Sequence, residues 1–302
     1  MPAITFPELR AQGSPLDASP AALGPLRRSE GTDVDPVELR QRVTEDGYLY
    51  LPGMLDRSAV LAARQDVLCR LAAVDGALAA DTDPEAGIPG SRPATRILSD
   101  LALASPPLQR VLYDGRLPAF YTHFFGENVR HFDFTWLRAV YPGTGTLPHG
   151  DSVFMNRGTP HLMTVWIPLG DVSFDLGGLM ILEKSHRLDN IRREYGSRDV
   201  DTYCASDDES ANENAGWTGY ISENPAQLQR ELGLRWLTGE FTAGDVVTFP
   251  IHTLHASLDN TSACIRLSAD IRYQPASEPA DPRWIGPEPT AHGPLSKQAM
   301  IC

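Results

Sequence analysis

The feature that most limits what this chain can become is a change of texture near residue 128. Downstream of it, short alternating apolar runs at 129–141, 149–156, 161–169, 179–182, 239–241, 246–251 and 265–273 are separated by turn residues. Runs of period two bury one face of a strand, and many of them in series build a sandwich or a barrel. The 25 glycines and 25 prolines supply the turns, and a hydrophobic share of 42% suffices for a sizeable core.

Upstream, the signals are helical. Residues 1–34 are rich in Pro, Gly, Ala and Ser and read as an arm. Asp35 is placed to cap a helix, Pro36 suits its first position, and Glu38 completes a capping-box spacing. A short strand is expected over 48–51, ended by Pro52-Gly53. An amphipathic helix follows over 56–74, with Val60, Leu61, Val67, Leu68 and Leu71 on its apolar side. Residues 77–92 read as a loop, with further helix near 97–104 and 107–125. A polar insertion, 185–235, interrupts the strands and carries Asp207-Asp208-Glu209, Trp217 and Tyr220; this is where a lid or binding loop belongs. The expected organisation is an arm (1–34), one domain (35–275, with its strand-rich core at 129–275) and a Pro-rich irregular tail (276–302).

Composition excludes several functions. A net charge of −13 repels phosphate backbones, so nucleic acid is not an expected partner. Cys69, Cys204, Cys264 and Cys302 are scattered, which predicts free thiols rather than a thiolate zinc site or a disulfide framework. No stretch approaches a membrane span and no secretory signal is visible, so a cytoplasmic protein is expected.

Chemistry is carried by His-x-Asp. Two imidazoles and one carboxylate on one face of an iron(II) ion leave its other positions open. On a strand, residues i and i+2 point the same way and reach one ion. Chance alone gives roughly one His-x-Asp/Glu in a chain of this composition, and this chain has two: His131-Phe132-Asp133 and His149-Gly150-Asp151. Periodicity does not exclude the first. The second follows a turn-rich approach, and Gly150 between the ligands leaves room beside a metal. A third ligand is sought downstream, where His252 and His255 follow the run 246–251. Beyond them, Arg266, Ser268, Asp270 and Arg272 share one face of a two-faced strand, with Leu267, Ala269 and Ile271 on the other. That polar face is either an exposed edge or the inside of a barrel, where an arginine needs an anion.

Taken together, the segments resemble the phytanoyl-CoA dioxygenase family of iron(II)/2-oxoglutarate oxygenases. The resemblance is carried by Glu45-Asp46-Gly47-Tyr48-Leu49-Tyr50-Leu51-Pro52-Gly53, His149-Gly150-Asp151, Trp166-Ile167-Pro168-Leu169, Gly177-Gly178-Leu179 and Ser185-His186. It continues through Gly244-Asp245-Val246-Val247, Leu254-His255-Ala256-Ser257, Asn260 and Arg266, about residues 36–275 in all. It implies a mainly β fold with flanking helices: a double-stranded β-helix (a cupin-like jelly roll) with N-terminal helical support. It assigns the metal to His149, Asp151 and His255. It gives Arg266, eleven residues after His255, the distal carboxylate of 2-oxoglutarate, with Ser257 assisting and Trp166 bordering the cosubstrate. His186 falls at a structural position; Arg96 and Thr135 are looser candidates for cosubstrate contact. The implied activity consumes 2-oxoglutarate and O₂, releases succinate and CO₂, and hydroxylates or desaturates a small molecule. Related halogenases lack the carboxylate that Asp151 supplies. Arg192, Arg193, Arg198 and Arg272 are the candidates for a CoA phosphate site, though nothing else points to an acyl-CoA. The competing readings are a jelly-roll metal isomerase or epimerase that does not use 2-oxoglutarate, and a non-catalytic binding module; oligomeric state is not readable.

Overall fold

The computed structural model describes residues 6–29, 35–92, 97–203 and 217–292. Strands β1 (Arg10–Ala11), β2 (Ser14–Pro15) and β3 (Leu23–Pro25) open the chain, followed by α1 (Pro36–Asp46), β4 (Leu49–Leu51) and α2 (Arg57–Ala72). Three helices come next: α3 (Ser99–Leu103), α4 (Pro106–Tyr113) and α5 (Arg116–Phe125). The strand-rich part contains β5 (Val129–His131), β6 (Trp136–Val140), β7 (Met163–Pro168) and β8 (Leu179–Leu182). After α6 (Asp189–Glu194) and α7 (Pro225–Leu232) it resumes with β9 (Trp236–Thr238), β10 (Val246–Pro250), β11 (His255–Ser257) and β12 (Arg266–Pro275).

The strands form a jelly roll of two facing sheets that do not close into a barrel. The six-stranded sheet runs β4-β10-β7-β12, with β5 and β6 both pairing β12; the four-stranded sheet runs β11-β8-β9-β3. Period two decides what each face buries. On β7 and β12, Met163, Val165, Ile167, Leu267, Ala269 and Ile271 point outward into a core shared with α1–α5. Trp166, on the opposite face of β7, packs with Ile181 and Leu237 of the smaller sheet. Arg266, Ser268, Asp270 and Arg272 all lie buried on that inner face. The strand is therefore interior to the sheet, not an exposed edge.

Local chemistry sets the helix boundaries. Asp35 accepts from the Val37 N–H at 2.8 Å, but Glu38 pairs with Arg42 instead of closing a capping box. Asp56 caps α2 through the Ala59 N–H. The helix expected over 107–125 is broken at Asp114-Gly115, where Gly115 adopts φ 71°, which a side chain would strain.

Five expectations need correction. The arm is not loose where it is described: Leu9, Leu16 and Leu23 are buried, β3 pairs in parallel with β9, and the Asp259 carboxylate accepts from the N–H groups of Gln12, Gly13 and Gly145. Its few leucines bury enough, and its backbone is satisfied by distant partners that a local reading does not see. The tail is likewise packed as far as residue 292, with Trp284, Ala291 and His292 buried. Arg283 bridges the insertion's Asp199 and Asp201 to Asp281. Finally, 149–156 is not a strand: His149 makes a bridge to His255, and Asp151–Val153 turn at once into a 3-10 helix. Residues 129–141 split into two strands, and 239–241 contributes only a bridge from Phe241 to Val172.

Candidate metal and cosubstrate site

His149, Asp151 and His255 come together although 104 residues separate the first two from the third. A pair of backbone hydrogen bonds between His149 and His255, at 3.0 and 2.9 Å, sets the two imidazoles side by side. Each ring then donates its Nδ1–H to a backbone carbonyl, His149 to Leu147 at 2.8 Å and His255 to Thr253 at 3.0 Å. A carbonyl only accepts, so Nδ1 carries the proton and the lone pair lies on Nε2, the atom a metal would take. The Asp151 carboxylate is divided in the same way. Its Oδ2 accepts from the Thr164 hydroxyl and from Arg272 Nη2 at 3.0 Å, whereas Oδ1 is buried with no hydrogen-bond partner. That Oδ1 lies 3.8 Å from His149 Nε2 and 3.9 Å from His255 Nε2. Two metal–ligand bonds of about 2.1 Å each span such separations.

A buried acceptor without a partner is expensive unless something else fills its place. Two neutral nitrogens and one anionic oxygen, all within 4.8 Å of one another and nearly inaccessible, fit a divalent cation. Electrostatics agree. Burial opposes charge on Asp151, but the Arg272 guanidinium, with the Thr164 hydroxyl, holds its carboxyl well below the usual range. Burial pushes His255 down to about 3, so the imidazole stays in its ligating form. Among the described residues this is the one cluster of its kind.

The cluster borders a narrow cavity of about 20 Å³ between the sheets. Arg266, Ser257 and Trp166 line it too, so the three residues expected at the cosubstrate meet there. Arg266 is buried with its guanidinium 5.9 Å from the Trp166 ring centroid. Ser257 Oγ accepts from the Thr146 N–H at 2.7 Å.

Several sequence assignments shift. Gly150 is not needed for space: a Cβ there would sit 3.4–3.5 Å from Ile251, Leu254 and Tyr195, an ordinary contact. Arg272 does not belong to a phosphate site but is fully buried against Asp151; Arg192 and Arg193 are exposed on α6. His252 is not in the cluster, and Thr135 instead shares a hydrogen bond with Tyr113. Arg96, Cys204, Cys302 and the acidic run 207–209 lie outside the described residues, while Cys69 and Cys264 are free. Sequence reading missed Thr164, Arg138 and Tyr195. Arg138 forms a buried pair with Asp270 at 2.5 Å on the cavity wall. The Tyr195 hydroxyl accepts from the Gly150 N–H at 2.9 Å and donates to Gly219 at 2.7 Å, which ties the insertion to the turn between the ligands. The insertion's Tyr220 stands 5.8 Å from the His149 ring, centroid to centroid. The alternation around Arg266 already placed Arg272 on the same face as Arg266; nothing local marked the others.

The phytanoyl-CoA dioxygenase (PhyH) family matches this chain over residues 43–268. The chain belongs to that family. This member is 27% identical over 275 residues to a 1-deoxypentalenic acid 11-beta-hydroxylase of Streptomyces arenae, covering 85% of this chain and 87% of the relative. Solved structures share its fold. A non-heme alpha ketoglutarate dependent epimerase, SnoN, from nogalamycin biosynthesis aligns with a TM-score of 0.56 at 19% identity, covering 87% of this chain and 96% of that one. EctD from S. alaskensis with 2-oxoglutarate and 5-hydroxyectoine aligns with a TM-score of 0.57 at 20% identity, covering 95% and 90%. With its family and its donor set, this PhyH protein is a non-haem iron oxygenase that uses 2-oxoglutarate and O₂.

Proposed function

We propose that His149, Asp151 and His255 hold the iron(II), that Arg266 with Ser257 and Trp166 seats the distal carboxylate of 2-oxoglutarate, and that the enzyme hydroxylates a small molecule. The observation that carries this reading is the matched polarity of the cluster. The outer atoms of the three ligands, both imidazole Nδ1 atoms and Asp151 Oδ2, are already hydrogen-bonded, and the buried Asp151 Oδ1 has no hydrogen-bond partner. When bound, iron and 2-oxoglutarate together supply the oxidising chemistry, with O₂ consumed and succinate and CO₂ released. The chain's own part is geometric. The His149–His255 bridge fixes two ligands, Thr164 and Arg272 fix the third, and the inward Arg266 lines the cavity beside them. A guanidinium there grips a carboxylate through paired hydrogen bonds. Tyr220 and Tyr195 bring the insertion over the metal side, where the substrate enters.

Hydroxylation is supported by the hydroxylase relative and by the presence of the third ligand, Asp151. An epimerase reading also has an observation behind it, because SnoN, named as alpha ketoglutarate dependent, has this fold. Arg266 therefore does not separate the two outcomes; incorporation of labelled oxygen into product does. The site assignment itself is tested by incubating protein with iron(II), 2-oxoglutarate and O₂ and measuring succinate. His149→Ala is expected to lose succinate formation while His131→Ala keeps it, and the reverse result overturns the assignment.

A further inference from the structure

Arg272 and Thr164 stand opposite each other across the β7–β12 ladder. Both donate to the same oxygen, Asp151 Oδ2, one through a neutral hydroxyl and the other through a charged guanidinium at 3.0 Å. A single neutral donor already orients the carboxylate, so the charge calls for a further reason. Arg272 is 1% exposed, and its guanidinium lies 4.3 Å from the Trp136 ring centroid. Nη1 donates to the Ile271 carbonyl at 3.3 Å, while the buried Nε–H has no hydrogen-bond partner although the residue lines the cavity.

A buried cation beside a cation site weakens retention of the metal by Coulomb repulsion and strengthens binding of any anion at that metal. On the ligand assignment proposed above, a divalent ion, the Asp151 carboxylate and two neutral imidazoles leave a single positive charge. Arg272 raises it to two and Arg266 to three, the Arg138–Asp270 pair adding nothing, and a dicarboxylate offsets two of these charges. We propose that Arg272 is a positioning residue that confines Asp151 to one coordinating oxygen and shifts the site from holding the metal toward holding the 2-oxoglutarate dianion. The unpartnered Nε–H is where an anionic oxygen in the cavity completes the guanidinium's bonding.

The signature is a pair of affinities moving apart, which a loss of structure does not produce. Manganese(II) serves as an air-stable probe: its binding is read by the resonance of the free ion without cosubstrate, and 2-oxoglutarate binding to the manganese-loaded protein is read by calorimetry. Arg272→Met is expected to bind manganese(II) as tightly as wild type or more tightly, and 2-oxoglutarate at least about tenfold more weakly. Arg272→Lys, which keeps the charge but loses the Nε–H and the guanidinium's contact with Trp136, is expected to bind 2-oxoglutarate more weakly than wild type but more tightly than the neutral variants. Arg272→Gln keeps a donor for Asp151 without the charge; it carries the same expectation as methionine and decides the matter if methionine does not fold. Parallel weakening of both ligands, or unchanged 2-oxoglutarate affinity in the neutral variants, overturns the inference. A wild-type protein that binds manganese but no 2-oxoglutarate overturns the cosubstrate reading beneath it, a different and distinguishable failure.

Discussion

His131-Phe132-Asp133 and His149-Gly150-Asp151 are the same motif in two settings. In the first, the side chains are 37% and 36% exposed, and His131 Nδ1 lies 2.8 Å from the Phe132 carbonyl and 3.5 Å from Asp133. The pair stands at the β5 edge beside Tyr113 and Tyr273, with no third ligand near among the described residues. In the second, both side chains are 1% exposed, outer atoms are occupied, and a third ligand arrives across a bridge. The motif supplies ligands; burial and a ring of outer partners make them a site, because only there does leaving the inner atoms empty carry a large penalty.

That contrast can be broken by substitution. The largest effect is expected from Asp151→Ala, which should lower succinate formation by at least about a hundredfold; Asp133→Ala should leave it within about twofold, measured under identical iron and cosubstrate. Arg266→Ala should come next, raising the KM for 2-oxoglutarate by about one to two orders of magnitude through loss of a charge-assisted pair, with metal binding preserved. Added manganese(II) at a hundred times its dissociation constant should stabilise the fold by about 2.7 kcal/mol, visible as a raised Tm. His255→Ala should abolish that rise and His131→Ala should retain it. The smallest effect sharpens the comparison from inside the motif: Gly150→Ala should change stability by no more than about 0.5 kcal/mol, since the position has ordinary clearance and negative φ. A loss of metal binding in that variant would mean the residue between the ligands matters more than its surroundings show.

Much of this site was legible in advance because its signals are periodic or spaced. The alternation along Arg266–Pro275 placed four polar side chains on one face, and the structure turns that face inward. Which of two His-x-Asp pairs binds metal was not readable from the pairs themselves, and only the resemblance chose. What stayed hidden depends on contacts between residues far apart in sequence. Thr164 reads as one threonine in an apolar strand until register sets it opposite Arg272. Tyr195 reads as a residue of a polar insertion until its hydroxyl reaches Gly150. The arm and the tail were undervalued for a related reason: each has too few apolar residues to show a period, yet their buried residues pack into the cluster that holds Phe154 and Leu254.

The segments that carried the resemblance without being ligands have their own consequence. Gly47, at φ 82°, leaves the space that the His186 ring fills, while its carbonyl receives the Thr253 hydroxyl at 2.8 Å, two residues before His255. Ser185 Oγ accepts from the Leu254 N–H at 2.9 Å. The front of the domain is thus a buttress for its distal ligand. An excised fragment beginning at β5, however complete its list of ligands, would lack the Gly47 part of the wall against which that histidine is braced.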